Sequence, residues 1–351
     1  MHNQSIYDVT IIGGGPAGLY TAFYSGLRGM KTKILEYQDK LGGKMHVYPE
    51  KMVWDVGGVP PVPGAVLSDQ LVQQGLTFSP TVCLETKVES IVRTNQGLFM
   101  LKTAAGLKHY SRTVVVAVGG GILNPKRIPV KGAERFEHAN LHYAIESLQR
   151  FKDKTVVISG GGNSAIDWAH ELEGIAKQVF ITCRNDSFKC HESQETQLLQ
   201  SSVVCFFHTK ITGFLPGEAS EEDYIEKVEL TNIESGHIDY LPVDEVIVNH
   251  GYERDTSLLD NSEIDIERKE NYFIASNAQG ESSVPGLYAA GDILMHDGKL
   301  NLIAGAFQDA ANAVNLAKQW LDPNAAKGAM VSSHNDVFKS RNKELIEKIV
   351  K

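Results

Sequence analysis

The stretch YDVTIIGGGPAGLYTAFYSGLRGMKTKILEYQ, residues Tyr7 to Gln38, decides the fold. It reads as strand, glycine turn, helix, strand. Val9, Ile11 and Ile12 lie in the first strand, Gly13-x-Gly15-x-x-Gly18 forms the turn, Leu19 to Arg28 the helix, and Lys33 to Leu35 a second strand ending at Glu36. Gly13 permits the tight turn, Gly15 lets the backbone approach a pyrophosphate, and Gly18 lets the helix pack closely on the strand. The helix N-terminus adds free N–H groups and the positive end of a dipole. Glu36 stands 21 residues after Gly15, where a carboxylate accepts hydrogen bonds from ribose hydroxyls. A glycine turn without a ligand accounts for the glycines alone and leaves the acid at that offset unexplained.

The pattern recurs in KTVVISGGGNSAIDWAHELEGIAKQVFITCRND, Lys154 to Asp186. Val156 to Ser159 form the strand, Gly160-x-Gly162-x-x-Ala165 the turn, a helix runs to about Gly174, and Val179 to Thr182 form the next strand. The residue 21 positions after Gly162 is Cys183, not an acid, with Arg184 directly after it and Lys189 close by. With no carboxylate to repel it, a 2′-phosphate is accommodated, so this second loop reads as an NADP(H) site. The thiols of Cys183 and Cys190 fall at the adenine end of such a nucleotide, away from nicotinamide chemistry. Neither belongs to a CxxC, and no pair of His or Cys ligands at structural-site spacing accompanies them, so neither a dithiol nor a metal site is expected.

Two nucleotide loops in one chain point to a flavin beside a nicotinamide. A third stretch, VPGLYAAGDILMHDGKLNLIAGAFQDAANAVNLAKQW, sets Gly291-Asp292 after an apolar strand (Leu287 to Ala290) and before a long helix starting near Leu302. Asp292 is placed to hold ribityl hydroxyls or the pyrophosphate side of a flavin. Taken alone, the stretch also reads as a strand, turn and helix with a capping aspartate.

Bulk properties narrow the classes. The chain has 351 residues, 42% hydrophobic and 22% charged, which suits two globular domains. Its formal net charge of −9 argues against non-specific nucleic-acid binding, which needs a basic face. No secretory pattern precedes the first strand and no apolar run nears the length of about 18 residues that a membrane span needs, so a cytoplasmic protein is expected. The four cysteines, Cys83, Cys183, Cys190 and Cys205, are expected to be reduced. From Ala325 onward six Lys/Arg face three Asp/Glu, which reads either as a solvated helix or as a docking surface for an acidic partner.

The set IIGGGPAG, ISGGGNSA and LYAAGDI, with LGGK at Leu41 to Lys44, resembles the two-dinucleotide-domain flavoproteins, specifically the thioredoxin-reductase-like ferredoxin–NADP+ reductases of bacteria. The likeness spans nearly the whole chain, including YPEKMVWDVGG, NLHYAIESLQRFKDK, IVNHGY and KLNLIAGAF. It implies an α/β fold with two Rossmann-like domains: an FAD domain from residues 1–121 and 252–351, with a C-terminal extension at about 325–351, and an inserted NADP(H) domain from 122–251. Thr113 to Gly121 and Glu245 to Glu253 would be the crossover strands. Electrons would pass between NADPH and ferredoxin or flavodoxin, by hydride transfer to FAD and then single-electron steps. A homodimer is implied by the resemblance alone. On the same basis Glu36 binds the FAD ribose, Lys44 and Asp292 lie along the flavin chain, Val88 offers a backbone contact to the adenine, and Leu123 lines the ring pocket. Tyr48 and His334 would stack on the two faces of the flavin ring.

Three departures matter. True thioredoxin reductases carry a CxxC just ahead of the second glycine loop, where this chain reads LHYAIESLQRFKDK, so electrons must leave to an external acceptor. The family usually reads HRR, then Asp, any residue, Phe and Arg for the 2′-phosphate. Here Cys183, Arg184, Asn185 and Lys189 imply weakened discrimination against NADH, because lysine is a point charge and not a planar fork. Asn335 follows His334 where a small hydroxyl residue is more usual. The rival readings are a flavoprotein reductase of an external dithiol or quinone, and a non-enzymatic flavin redox sensor.

Overall fold

Val9 and Ile11 are fully buried, and so are Val114, Val115 and Val116. Strands covered on both faces are near-continuous apolar runs, and these two lie side by side and parallel, Ile11 opposite Val115. The computed structural model describes residues 5–120, 124–217, 223–331 and 334–350. The chain divides into two units, one of Met1–His46, Lys51–Gly121 and Arg254–Lys351, the other of Val47–Glu50 and Ile122–Glu253.

In the first unit the strand Ile6–Ile12 lies between Thr32–Leu35 and Lys108–Val116, both parallel to it. Thr81–Cys83 extends the sheet on one side; Phe99–Thr103 and Val88–Arg93 continue it antiparallel on the other, and Leu287–Ala289 also pairs with Lys108–Val116. The chain leaves the central strand toward opposite sides, and ligands of such sheets bind beyond the strand C-termini at that switch. The helices Pro16–Leu27 and Ile303–Leu321 share an apolar cluster built from Ala17, Ala22, Ala306, Ala310, Ala313 and Ala317. Methyl side chains at helical spacing bring helix and sheet close.

The second unit centres on the strand Thr155–Ser159, flanked by Gln178–Thr182 and Glu245–Val248, all parallel. Val204–Phe206 and Leu141–His142 complete five parallel strands, and a separate antiparallel sheet holds Thr209–Pro216, Ile225–Asn232 and Ile238–Pro242. Glu245, buried at the start of its strand, receives His142 Nε2 at 2.7 Å.

Both expected crossover strands end earlier than read from sequence. The first ends at Val116 and not at Gly121, ahead of Gly119 at φ +67. The second ends at Val248; after Gly251, at φ +83, only Tyr252–Glu253 is extended, pairing with Asn124–Pro125. A left-handed residue cannot continue a pleated strand.

Candidate functional site

In the first unit the strand stops at Gly13, whose N–H donates to the Leu35 carbonyl at 2.8 Å. At φ +107, with the Ala117 oxygen 2.4 Å from where a Cβ would stand, this position admits glycine alone. Gly18 is tighter still: its Cβ would lie 1.9 Å from the Gly13 oxygen, so the helix rests directly on the turn. Gly15 opens the helix in an extended conformation, Pro16 occupies the first helical position, and no side chain caps the end. A Cβ at Gly15 would meet only the Cα of Gly43, at 3.7 Å. That leaves a cradle lined by main chain and by helix N–H groups, which fits the pyrophosphate of a dinucleotide.

Glu36 is 5% exposed and faces this turn. Its Oε2 accepts from the Gly14 N–H and its Oε1 from the Gln38 N–H at 2.7 Å. Each carboxylate oxygen carries a second lone pair, which suits ribose hydroxyls. Val88 is buried at the start of its strand, two residues beyond Thr86, whose N–H donates to the Glu36 carbonyl at 2.8 Å. Lys44 is exposed in the short turn Gly43–Val47, and Asp292 is exposed in the turn Gly291–Ile293. A Cβ at Gly291 would lie 2.8 Å from the Ala17 methyl, so the Asp292 turn sits against the first helix, beside the glycine loop.

Sequence reasoning missed what holds these pieces. The Gly43 backbone, at φ +63, presses against Gly15, and its signal was the glycine doublet in LGGK. Asp309 Oδ2 accepts from the Gly291 N–H at 3.1 Å and also receives the Lys299 ammonium. Both side chains are under 10% exposed. Their signal was an acid on the alanine-lined face of the Ile303–Leu321 helix.

The remaining first-site residues lie elsewhere. Tyr48 belongs to the second unit and packs against the cluster containing Ile145, Phe151 and Ile247. His334 is exposed in the tail. Asn335 next to it accepts the Val337 N–H at 3.1 Å, the capping bond that a small hydroxyl residue also makes, which accounts for that departure. Leu123 lies outside the described residues. Arg341, a candidate tail docking charge, donates to the Thr77 carbonyl at 2.6 Å, and its guanidinium lies 5.9 Å from the centre of the Phe78 ring.

The second unit repeats the loop with different chemistry. A Cβ at Gly160 would stand 2.5 Å from the Asn249 oxygen; Gly162 opens the helix Asn163–Glu173 without a side-chain cap. Around Gly162 a Cβ would meet no atom within 4 Å. Ala165 is fully buried, its N–H donating to the Gly162 carbonyl at 3.0 Å, so alanine serves where the first loop has its third glycine. The Cys183 thiol is buried against Gly161 and donates to the Ser187 carbonyl at 3.4 Å. Lys189 is anchored to the loop by its N–H, 2.7 Å from the Gly161 carbonyl, and Arg184 and Lys189 both expose their side chains. The structure thus brings together Gly160, Gly162, Ala165, Arg184 and Lys189. Burial, and then the Arg184 charge, lower the His250 imidazole below its ordinary value.

All four cysteines are free thiols, and burial pushes Cys205 up to about 11, which leaves it protonated and unreactive. Among the described residues no group of three His, Cys, Asp or Glu is placed to hold a metal, and no helix is long and apolar enough to cross a membrane.

Residues 7–315 match the family described as pyridine nucleotide-disulphide oxidoreductase. The chain is 64% identical to ferredoxin–NADP reductase 1 of Bacillus licheniformis, covering 99% of each chain, and 63% identical to the enzyme of that name from Bacillus mycoides, covering 100% of each. Among solved structures it is similar to Lactococcus lactis thioredoxin reductase, with a TM-score of 0.74 at 21% identity over 90% of this chain and 99% of that one. Thioredoxin reductase from T. acidophilum matches with a TM-score of 0.74 at 24% identity over 91% and 99%.

Proposed function

The chain belongs to the pyridine nucleotide-disulphide oxidoreductase family, and from that premise we propose that it passes electrons between NADPH and ferredoxin or flavodoxin by way of FAD. The observation that carries this reading is its full-length likeness to ferredoxin–NADP reductases. The absence of a CxxC supports it, because a reductase without its own dithiol delivers electrons to an external carrier.

The Gly13–Gly18 loop and the N–H groups behind it bind the FAD pyrophosphate, Glu36 the ribose, and the Val88 backbone the adenine. Lys44 and Asp292 lie along the flavin chain, with Asp309 and Lys299 fixing the Gly291 turn that presents Asp292. Leu123, Tyr48 and His334 serve the ring. When bound, FAD supplies the conversion between two-electron and one-electron transfer that no side chain provides. No acid, base or nucleophile of the protein is needed; its residues bind, orient and screen from water. In the second unit the Gly160–Ala165 loop takes the pyrophosphate of NADPH, and Arg184 and Lys189 its 2′-phosphate. One arginine and one lysine make the preference over NADH modest.

The protein works in the cytoplasm as a homodimer. Free thiols suit a reducing compartment. The helix Lys339–Val350 leaves Leu345 and Ile346 more than half exposed, a surface suited to a second copy. Ferredoxin reduction by the FAD-loaded protein, with NADPH and NADH compared by kcat/KM, tests the function. Activity with a modest NADPH preference is expected. Flavin reduction by NADPH without ferredoxin reduction would refute the acceptor and leave the nucleotide sites standing.

A further inference from the structure

His250 lies at the edge of the second nucleotide loop, two residues beyond the end of the strand Glu245–Val248. The register places it: Val248 pairs with Ser159, the last residue before Gly160, and Ser159 pairs in turn with Thr182. All three strands end at this one edge, where ligands of parallel sheets bind. His250 Nε2 lies 2.9 Å from the Ser159 hydroxyl, which has the Thr182 hydroxyl within 3.5 Å. The preceding residue, Asn249, passes its carbonyl over Gly160 and buries its side-chain oxygen without a hydrogen-bond partner.

The charge that bears on the ring is positive. The elements packed against it contribute the neutral hydroxyls of Ser159 and Thr182, and the segment after Thr182 contributes the guanidinium of Arg184, the charge that acts on the ring among the described residues. Lys189 is tied to the same loop through its N–H. The neutral ring accepts the Ser159 O–H at Nε2; the protonated ring reverses that bond, with Nε2–H donating to the Ser159 oxygen.

We propose that His250 is a positioning residue of the second nucleotide site that takes up a proton when the phosphates of the dinucleotide bind, adding a positive charge to those of Arg184 and Lys189. This rests on the nucleotide reading given above. The free protein holds the ring neutral because burial and Arg184 oppose its charge. A bound phosphate reverses the local field, partly neutralises Arg184 and draws one proton from solvent onto Nε2. No covalent bond changes. Binding therefore strengthens as pH falls, through the window between the free and the bound protonation midpoints of the ring. A midpoint raised by about one pH unit tightens binding at most about tenfold.

The test is calorimetric titration of the FAD-loaded, full-length protein with NADP+ at pH 6.5, in buffers of differing ionisation enthalpy, which reads the protons taken up per ligand. The 2′-phosphate titrates on its own account, so the quantity of interest is the difference between wild type and His250→Gln. A larger proton uptake in wild type, with about three- to tenfold tighter binding at pH 6 than at pH 8 that His250→Gln lacks, is expected. Repeating the titration with NAD+ separates the sources: uptake that persists belongs to the pyrophosphate, and uptake that vanishes belongs to the 2′-phosphate. Should the variant not fold, the His250 ring can be followed by NMR in wild type, where NADP+ should raise its midpoint by about one pH unit. Equal proton uptake in wild type and variant, or an unmoved midpoint, would overturn the proposal. If wild type binds no NADP+ at all, the nucleotide reading fails first and this inference falls with it.

Discussion

Gly162→Ala adds a methyl group where the protein itself leaves room. No atom lies within 4 Å of the new Cβ, and the backbone, at φ −103 and ψ 174, is one that alanine adopts freely. The fold therefore loses only the difference between glycine and alanine at a helix N-cap, up to about 1 kcal/mol, or roughly 2 °C in Tm. A bound pyrophosphate fares differently. Its oxygens must come within about 2.9 Å of loop N–H groups, and a methyl on the same residue pushes them outward. Losing one charge-assisted bond costs about 1.5–3 kcal/mol, which weakens NADP+ binding by about tenfold to 150-fold. Gly18→Ala is the contrasting case. Its Cβ would stand 1.9 Å from the Gly13 oxygen, so the first helix must shift, at about 1–3 kcal/mol of stability, and FAD is lost with it. Melting curves, flavin content and NADP+ titrations separate the two. The reasoning fails if Gly162→Ala binds NADP+ like wild type, or if it melts as early as Gly18→Ala.

Glu36→Gln places an amide against the Gly14 and Gln38 N–H groups that the carboxylate accepts, so FAD affinity should fall at least about tenfold in a fluorescence titration. Arg184→Ala should erase most of the NADPH preference, about tenfold or more in the ratio of kcat/KM values, with kcat for NADH little changed. Burial raises the Asp255 carboxyl, but Lys87 at 2.7 Å and the Ser257 N–H at 2.9 Å outweigh it and hold the group at about 2. A depressed carboxylate stabilises the fold above its ordinary value of 3.8 and loses that contribution as pH falls through about 2. Asp255 is about half exposed, so screening limits the effect to under about 1 kcal/mol. Asp255→Asn should melt slightly earlier than wild type at pH 7, and the gap should close as the pH approaches 2.

The two loops were legible because their information is local: three small residues in six positions, an apolar strand before them, and a deciding residue at a constant offset. What escaped depends on distant chain. Gly43 matters because its backbone meets Gly15, and Asp309 because it reaches Gly291 and Lys299, contacts that no spacing reports. The crossover strands were read as ending too late because the sequence does not say which glycines adopt positive φ; Gly119 and Gly251 do. The charged tail reads from sequence either as a solvated helix or as a docking surface, and neither reading shows that Arg341 is bonded to Thr77. His250 carried no signal within IVNHGY, since its place beside Ser159 exists only once three strands align.

The middle glycine of each loop, the position that the motif leaves open, is overlain by the deciding residue, joined at Gly14 by Leu41. At Gly14 a Cβ would meet Leu41 at 2.4 Å and the Glu36 carboxylate at 3.0 Å; at Gly161 it would meet the Cys183 sulfur at 2.5 Å. The corresponding socket thus receives an acid in one half of the chain and a thiol in the other, each over a glycine with no room for a side chain. Changing which nucleotide a half accepts therefore involves that occupant as well as the charges at Arg184 and Lys189, and the glycine beneath cannot be enlarged without displacing the occupant. The residue that faces the nucleotide and the shape of the loop are thus coupled sterically, as a pair of positions.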